Sequence, residues 1–346
     1  MSTTDSDVPT RGLVHAFALD GRGGGRPLSP AQTAAALRDR SAGQTVDAPD
    51  LWLHVDRMDP GVQDWLNLAG VPPHAAEALL AEETRPRADR FADGLVVNLR
   101  GLNVNPGMEA SDLISVRAWT VAGMTITTRR YPLRSTREMA EALTAGSGGP
   151  RDSGGVIADL ADRLVGRLRP EVDRLEDLID DLEDEALAGA ADARPREGIR
   201  KARAALAELR RETIAFRRYM APQREALMRL AGLDPSPFGH VDRLELRETA
   251  DQLTRMVEDL DAIRERTLLA QGEWEARIAE RTDRTVYLLT ILSSVMLPLG
   301  FITGLLGVNV AGIPGADDPA AFLLLCLALG LLVAVQFVLY RRLRWI

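Results

Sequence analysis

The stretch 285-TVYLLTILSSVMLPLGFITGLLGVNVAGIPGADDPAAFLLLCLALGLLVAVQFVLY-340 holds two charge-free runs, residues 285–306 and 320–340, of 22 and 21 residues. A short glycine-rich loop joins them. Each run is long enough to cross a hydrocarbon core of about 30 Å as a helix. The competing explanation is a buried helical hairpin of a soluble core, but buried helices rarely stay charge-free over such a length. A C-terminal position also excludes a secretory signal for either run.

The rest of the chain is different in kind. Beyond residue 284 the only charged side chains are Asp317, Asp318, Arg341, Arg342 and Arg344, whereas the first 284 residues are densely charged. At 46% hydrophobic and 27% charged, the 346-residue chain has the composition of a folded protein, not a disordered one. The net charge of −8 argues against nucleic acid as a partner and suits a protein that handles cations. The single cysteine, Cys326, falls inside the second run, so no disulfide framework exists, as suits a reducing compartment. Arginines set the orientation. Arg277, Arg281 and Arg284 precede the first run and Arg341, Arg342 and Arg344 follow the second, while the connecting loop has no Lys or Arg. By the positive-inside rule both termini are expected in the cytoplasm and the protein in the inner (cytoplasmic) membrane.

Residues 1–12 are polar and read as a disordered N-terminus. Residues 13–149 read as a cytoplasmic α/β domain: a strand, a glycine turn and the approach to a short helix over 13–29, then strands at 51–56, 94–103, 112–121 and 123–130 with short helices at 59–70 and 72–83. The stretch 21-GRGGGR-26 lacks the Gly-Lys-Ser/Thr and the distant acid that phosphate-binding loops need. From residue 150 the period lengthens to between three and four. Val156, Leu160, Leu164, Leu168, Val172, Leu175, Leu178 and Leu182 mark one face of a helix, and a second helical stretch from 196 is expected to stop at Pro222. Residues 150–240 thus form a cytoplasmic helical region. A third helix, 241–306, continues without a strong breaker into the first run, giving a stalk of roughly 100 Å at about 1.5 Å per residue.

The first run has its own internal pattern. Asp283, Val286, Thr290, Ser293, Leu297, Gly300 and Gly304 recur at alternating spacings of three and four, and this face is small or polar where the rest of the helix is Leu, Ile and Val. Such a face has two uses in lipid: close packing of a two-helix hairpin, or the lining of a wet axis shared by several copies. Two spans cannot enclose a pore alone, so the second use requires a closed homo-oligomer. At the loop end of that bundle Asn309 would present a ring of amide oxygens able to accept hydrogen bonds from water around a cation.

The segment 304-GLLGVNVAGIPG-315 resembles the Gly-x-Asn signature of the CorA superfamily of divalent cation transporters, whose better known form is Gly-Met-Asn. With valine in the middle and the Gly-Ile-Pro-Gly continuation it looks most like the ZntB branch. Similar segments occur in the same order along the chain: 84-TRPR-87, 98-NLRGLNVNPG-107, 111-SDLISVRAWT-120, 214-IAFRRYMAPQREALMRL-230, 283-DRTVYLLTILSSVMLPLGFITG-304 and 340-YRRLRWI-346. The resemblance implies an α+β membrane protein assembled as a homopentamer, with the cytoplasmic α/β domain, the helical stalk and two C-terminal transmembrane helices. It matches Gly307, Val308 and Asn309 to the selectivity loop. Asp283, Val286, Leu289, Thr290, Ser293, Leu297, Gly300 and Gly304 match the pore-facing side. Residues 307–319 would form the extracytoplasmic loop, with Asp317 and Asp318 as entrance charge, and residues 341–346 a basic cytoplasmic tail. Val308 for methionine, and Ala311 where such loops often carry another glycine, are departures.

The implied cargo is Zn²⁺, with Co²⁺, Ni²⁺ or Cd²⁺ tolerated. The alternative is a CorA-type Mg²⁺/Co²⁺ channel, and a membrane-anchored scaffold is a third reading, of another class. The resemblance also suggests proton-assisted uptake, although neither span contains a titratable carboxylate, His, Lys or Arg. No resident cofactor and no catalytic motif is expected, so the chain does not read as an enzyme. The four histidines are scattered without zinc-ligand spacing. The acidic run 176-EDLIDDLEDE-185 supplies Asp180, Asp181, Glu183 and Asp184 as weak candidates for a regulatory metal, against the simpler reading of a solvated helix face.

Overall fold

The structure, a computed structural model, describes residues 9, 11–43, 48–82, 85–91, 94–188, 195–234, 238–308 and 318–343. The chain divides into two compact units, Met1–Gln271 and Gly272–Ile346.

The first unit is built on a seven-stranded sheet of order β2-β1-β3-β7-β6-β5-β4. Its strands are β1 (Leu13–Leu19), β2 (Gly25–Pro27), β3 (Leu51–Asp56), β4 (Arg87–Phe91), β5 (Gly94–Gly101), β6 (Ile114–Val121) and β7 (Met124–Arg129). All neighbours are antiparallel except β3 and β7, which run parallel with Leu53 beside Ile126. The first five residues of β3, LWLHV, are buried, as a strand covered on both faces requires. On one face Leu53, Val55, Val96, Trp119 and Ile126 pack with Leu37, Trp65, Leu66 and Leu79 from helices α1 (Pro30–Ser41), α2 (Val62–Leu68) and α3 (Pro73–Leu80). On the other, Phe17, Leu19 and Trp52 meet Met139 and Leu143 of α4 (Arg134–Ala145) and Val156 of α5 (Ser153–Gly166).

The glycine stretch between β1 and β2 is a hairpin turn. Asp20 Oδ1 accepts the backbone N–H groups of Arg22 (2.7 Å) and Gly24 (3.0 Å), which a phosphate would need, and these bonds hold its carboxyl below the usual carboxylate range. The expectation of disorder over residues 1–12 fails at its end. Trp65 Nε1 donates to the Arg11 carbonyl at 2.8 Å and Asp56 N donates to that of Gly12 at 2.7 Å; residues 1–8 and 10 lie outside the described residues.

Two helix boundaries differ from the periodicity. The face from Val156 to Leu182 is split between α5 and α6 (Arg169–Ala188). Gly166 favours a helix end, and Pro170 has no N–H for the Gly166 carbonyl and disfavours helical geometry at Arg169. Conversely, α7 (Pro195–Ala231) continues through Pro222. Burial of Phe216, Met220, Gln223, Leu227 and Leu230 on both sides of the proline offsets its single lost hydrogen bond. Helix α8 spans His240–Leu306. In the first unit its residues Leu253, Met256, Leu260, Ile263, Thr267 and Ala270 are buried, and it is tied by ion pairs from Arg169 to Asp259 (2.9 Å) and Arg217 to Asp261 (2.5 Å).

Candidate functional site

In the second unit, the first apolar run forms the C-terminal part of α8, ending at Leu306 as expected, and the second forms α9 (Ala321–Arg342), which starts one residue inside the expected limit and ends two beyond it. Both contain a window long and apolar enough to cross a membrane, and neither window is buried. A core hairpin of a soluble protein would be covered, so this exposure removes that alternative and leaves lipid or further copies of the chain as the surroundings.

The two helices touch along matching stripes. On α8, Ile291, Ser294, Val295, Pro298, Leu299 and Ile302 are half-buried; on α9, Ala321, Leu325, Leu329, Leu332, Gln336 and Tyr340 are. Hydrogen bonds fix the pairing: Tyr340 Oη donates to Ser294 Oγ at 2.8 Å and Gln336 Nε2 donates to the Ser294 carbonyl at 3.3 Å.

The face singled out in the sequence lies elsewhere on α8. Asp283, Val286, Leu289, Thr290, Ser293, Leu297, Gly300 and Gly304 are all exposed. At about 100° per residue they centre roughly 150° away from the stripe that meets α9. The two-helix packing use of these small residues is therefore not the one found within the chain. A Cβ added at Gly300 or Gly304 would meet nothing within 4 Å, so no intrachain contact explains either glycine. Thr290 Oγ1 donates to the Val286 carbonyl at 2.8 Å, which consumes its proton inside the helix and leaves its lone pairs to accept from outside.

The loop is only partly described. The Gly307 amide donates to the Thr303 carbonyl at 2.9 Å, continuing the helix for one more bond, and Val308 is exposed. Asn309 and Asp317 lie outside the described residues. Asp318 is exposed and closes the turn that leads into α9: its Oδ1 accepts from Ala320 N at 2.8 Å and its carbonyl from Ala321 N at 3.0 Å. It thus has a local structural role that the sequence reading of bare entrance charge did not include.

The acidic run on α6 has a protein partner. Arg266 of α8 binds Asp180 and Glu183, each at 2.5 Å, and the two carboxylates raise its pKa. Among the described residues no group of three or more His, Cys, Asp or Glu side chains is arranged to hold a metal ion, so Asp180, Asp181, Glu183 and Asp184 do not form such a cluster. Asp159, Asp162, Glu245 and Glu248 do line a cavity of about 280 Å³ between α5 and α8, but the Asp159 carboxylate is engaged by Arg163 at 2.7 Å.

The sequence reading missed the contacts between the spans. Gln336 is the one amide in an otherwise apolar run, and a lone polar side chain at membrane depth is the signal that could have found it.

These features define a membrane protein with a large N-terminal soluble α/β part, a long helix and a C-terminal apolar helix. The chain belongs to the CorA-like Mg²⁺ transporter protein family, whose model matches residues 50–342. It is 40% identical over 338 residues to the divalent cation transporter CmaX of Pseudomonas aeruginosa, covering 97% of each chain. It is 35% identical to the zinc transport protein ZntB of Pectobacterium carotovorum, covering 100% of this chain and 99% of that one. The solved structure of full-length CmaX superposes with a TM-score of 0.78 at 38% identity, covering 99% of this chain and all of that one. The CorA magnesium transporter of Methanocaldococcus jannaschii shares the fold at a TM-score of 0.74 and 16% identity, covering 96% of this chain and 99% of that one.

Proposed function

We propose that the protein carries divalent cations, Zn²⁺ foremost, across the cytoplasmic membrane through a pore on the axis of a homopentamer. Family membership over residues 50–342 is the observation that carries the transport reading. Relatives named as zinc transport proteins at 35% and 34% identity over the whole chain favour zinc. The family's own description keeps Mg²⁺ as the second reading.

In this proposal the exposed face from Asp283 to Gly304 lines the pore. Its glycines at 300 and 304 meet nothing within one chain, and hydroxyl oxygens suit a hydrated ion that must leave again. Gly307, Val308 and Asn309 form the selectivity loop, with the Asn309 amides holding the ion through its water shell. Asp317 and Asp318 concentrate cations near the mouth. Both termini are cytoplasmic, by the arginine asymmetry, and residues 307–319 face the other side. Proton assistance would act through acids that flank the spans, since none lies within them. The cation is cargo, and transport needs no covalent step from the protein.

The test is Zn²⁺ and Mg²⁺ flux into liposomes containing the purified protein, with and without an imposed pH gradient. Zinc flux that responds to the gradient supports the first reading. Robust Mg²⁺ flux with little zinc selects the second, and no flux of any divalent cation overturns transport.

A further inference from the structure

Pro298 lies inside α8, where a proline has no N–H to give the carbonyl four residues earlier, that of Ser294. No water reaches a carbonyl in the hydrocarbon region, so the freed group needs another donor. Gln336 Nε2 of α9 donates to the Ser294 carbonyl at 3.3 Å. The same serine is held at its side chain, for Tyr340 Oη donates to Ser294 Oγ at 2.8 Å while Ser294 Oγ donates to the Ile291 carbonyl at 2.8 Å. Gln336 and Tyr340 are four residues apart, one turn of one face of α9, so both reach a single residue of α8. The Gln336 amide oxygen is buried with no donor among the described residues, a penalty that leucine at this position would avoid. An amide kept at that penalty points to a need for its N–H.

We propose that Gln336 and Tyr340 are positioning residues: a clamp from the second span in which Gln336 replaces the backbone hydrogen bond removed by Pro298 and Tyr340 holds the same serine by its hydroxyl. The clamp fixes the direction of α8 beyond the proline, and with it the placement of Gly300, Gly304 and Gly307. Its consequence for flux rests on the transport reading; the hydrogen-bond replacement does not.

The experiment is a double-mutant cycle on the full-length protein, with Gln336→Leu, Pro298→Ala and the two combined. Melting in detergent and Zn²⁺ flux in liposomes are both measured. Gln336→Leu should lower melting and reduce maximal flux about three- to tenfold, the range for a hydrogen bond between membrane helices. The zinc concentration for half-maximal flux should not move, because Gln336 touches no ion. In the Pro298→Ala background residue 298 regains its N–H, and Gln336→Leu should then no longer lower melting or flux. Tyr340→Phe removes only the bond to the Ser294 hydroxyl, which Pro298→Ala leaves in place, so its effect should be similar in both backgrounds and serves as the control. Equal effects of Gln336→Leu in both backgrounds would overturn the clamp. Absence of wild-type flux would instead refute the transport reading and leave the melting cycle to decide the clamp.

Discussion

His54 makes the first unit acid-sensitive in a way that can be measured apart from transport. The residue sits on β3 with none of its surface exposed. Its Nδ1 is 2.8 Å from the Thr127 hydroxyl on β7, and its Nε2 is buried without a partner among the described residues. On β1 its register partner is His15, whose ring stacks 5.9 Å away. Burial first, then the charges of Arg129 and His15, push its pKa well below the ordinary imidazole value. The folded protein therefore binds this proton less readily than the unfolded chain. Stability from the neutral imidazole is complete above about pH 6.5 and is lost as the pH falls from there toward the folded pKa. As long as the pH stays above the folded pKa the loss approaches about 1.4 kcal/mol per pH unit, about 3–6 °C in melting temperature for a unit of this size. The substitution His54→Gln keeps a hydrogen bond to Thr127 within reach and removes the titration. Melting of wild type and His54→Gln, followed by tryptophan fluorescence between pH 7.5 and 5, should give curves that diverge below pH 6.5. His15 is also shifted down by burial but is present in both proteins, so it cancels in the comparison. Parallel curves would refute this account of His54.

Four further outcomes are expected. Gly300→Leu, at a position where an added Cβ meets nothing within 4 Å in a single chain, should leave expression and folding intact and still block flux if that face lines a shared pore; undiminished flux would place the face against lipid. Asn309→Ala should abolish or greatly reduce flux while the oligomer still forms, as seen by light scattering. Converting Asp317 and Asp318 to Asn leaves an amide oxygen to accept from Ala320 N and removes only charge; the half-saturating Zn²⁺ concentration should rise at low ionic strength and converge with wild type as salt screens the mouth. Arg266→Met should lower melting by a few degrees, about 1 kcal/mol for a partly exposed pair of ion contacts, without altering ion preference in the flux assay.

Much of the fold could be read from local pattern. The apolar run 51-LWLHVD-56 and the stretches read as strands at 94–103 and 112–121 became β3, β5 and β6, because short apolar, β-branched runs bounded by turn residues mark strands even where both faces are covered. Strand β4 escaped because RADRF is mostly charged. It sits at the sheet edge with only Ala88 buried, where hydrophobic pattern is weakest. Helix α4 escaped for another reason: residues 134-RSTREMAEALTA-145 bury Met139, Ala140 and Leu143 together with small and hydroxyl side chains, which a count of large apolar residues overlooks. The prolines misled in both directions, since whether a helix survives at Pro222 or ends before Pro170 depends on how much surface its flanks bury.

The spans divide along the same line. Periodicity found the small and polar face of α8 because every member of it lies on one helix, and the structure sets that face opposite α9. Periodicity has no access to a bond whose two ends are 42 and 46 residues apart, as Gln336 and Tyr340 are from Ser294. Before the helices are paired, Ser294 reads as a neighbour of Ser293, Pro298 as a tolerated irregularity and Gln336 as an isolated polar residue. Each is a local exception to an apolar run. Their common explanation appears only when the antiparallel pairing brings an unsatisfied carbonyl next to an available N–H, because in lipid a polar group must be matched by another part of the protein.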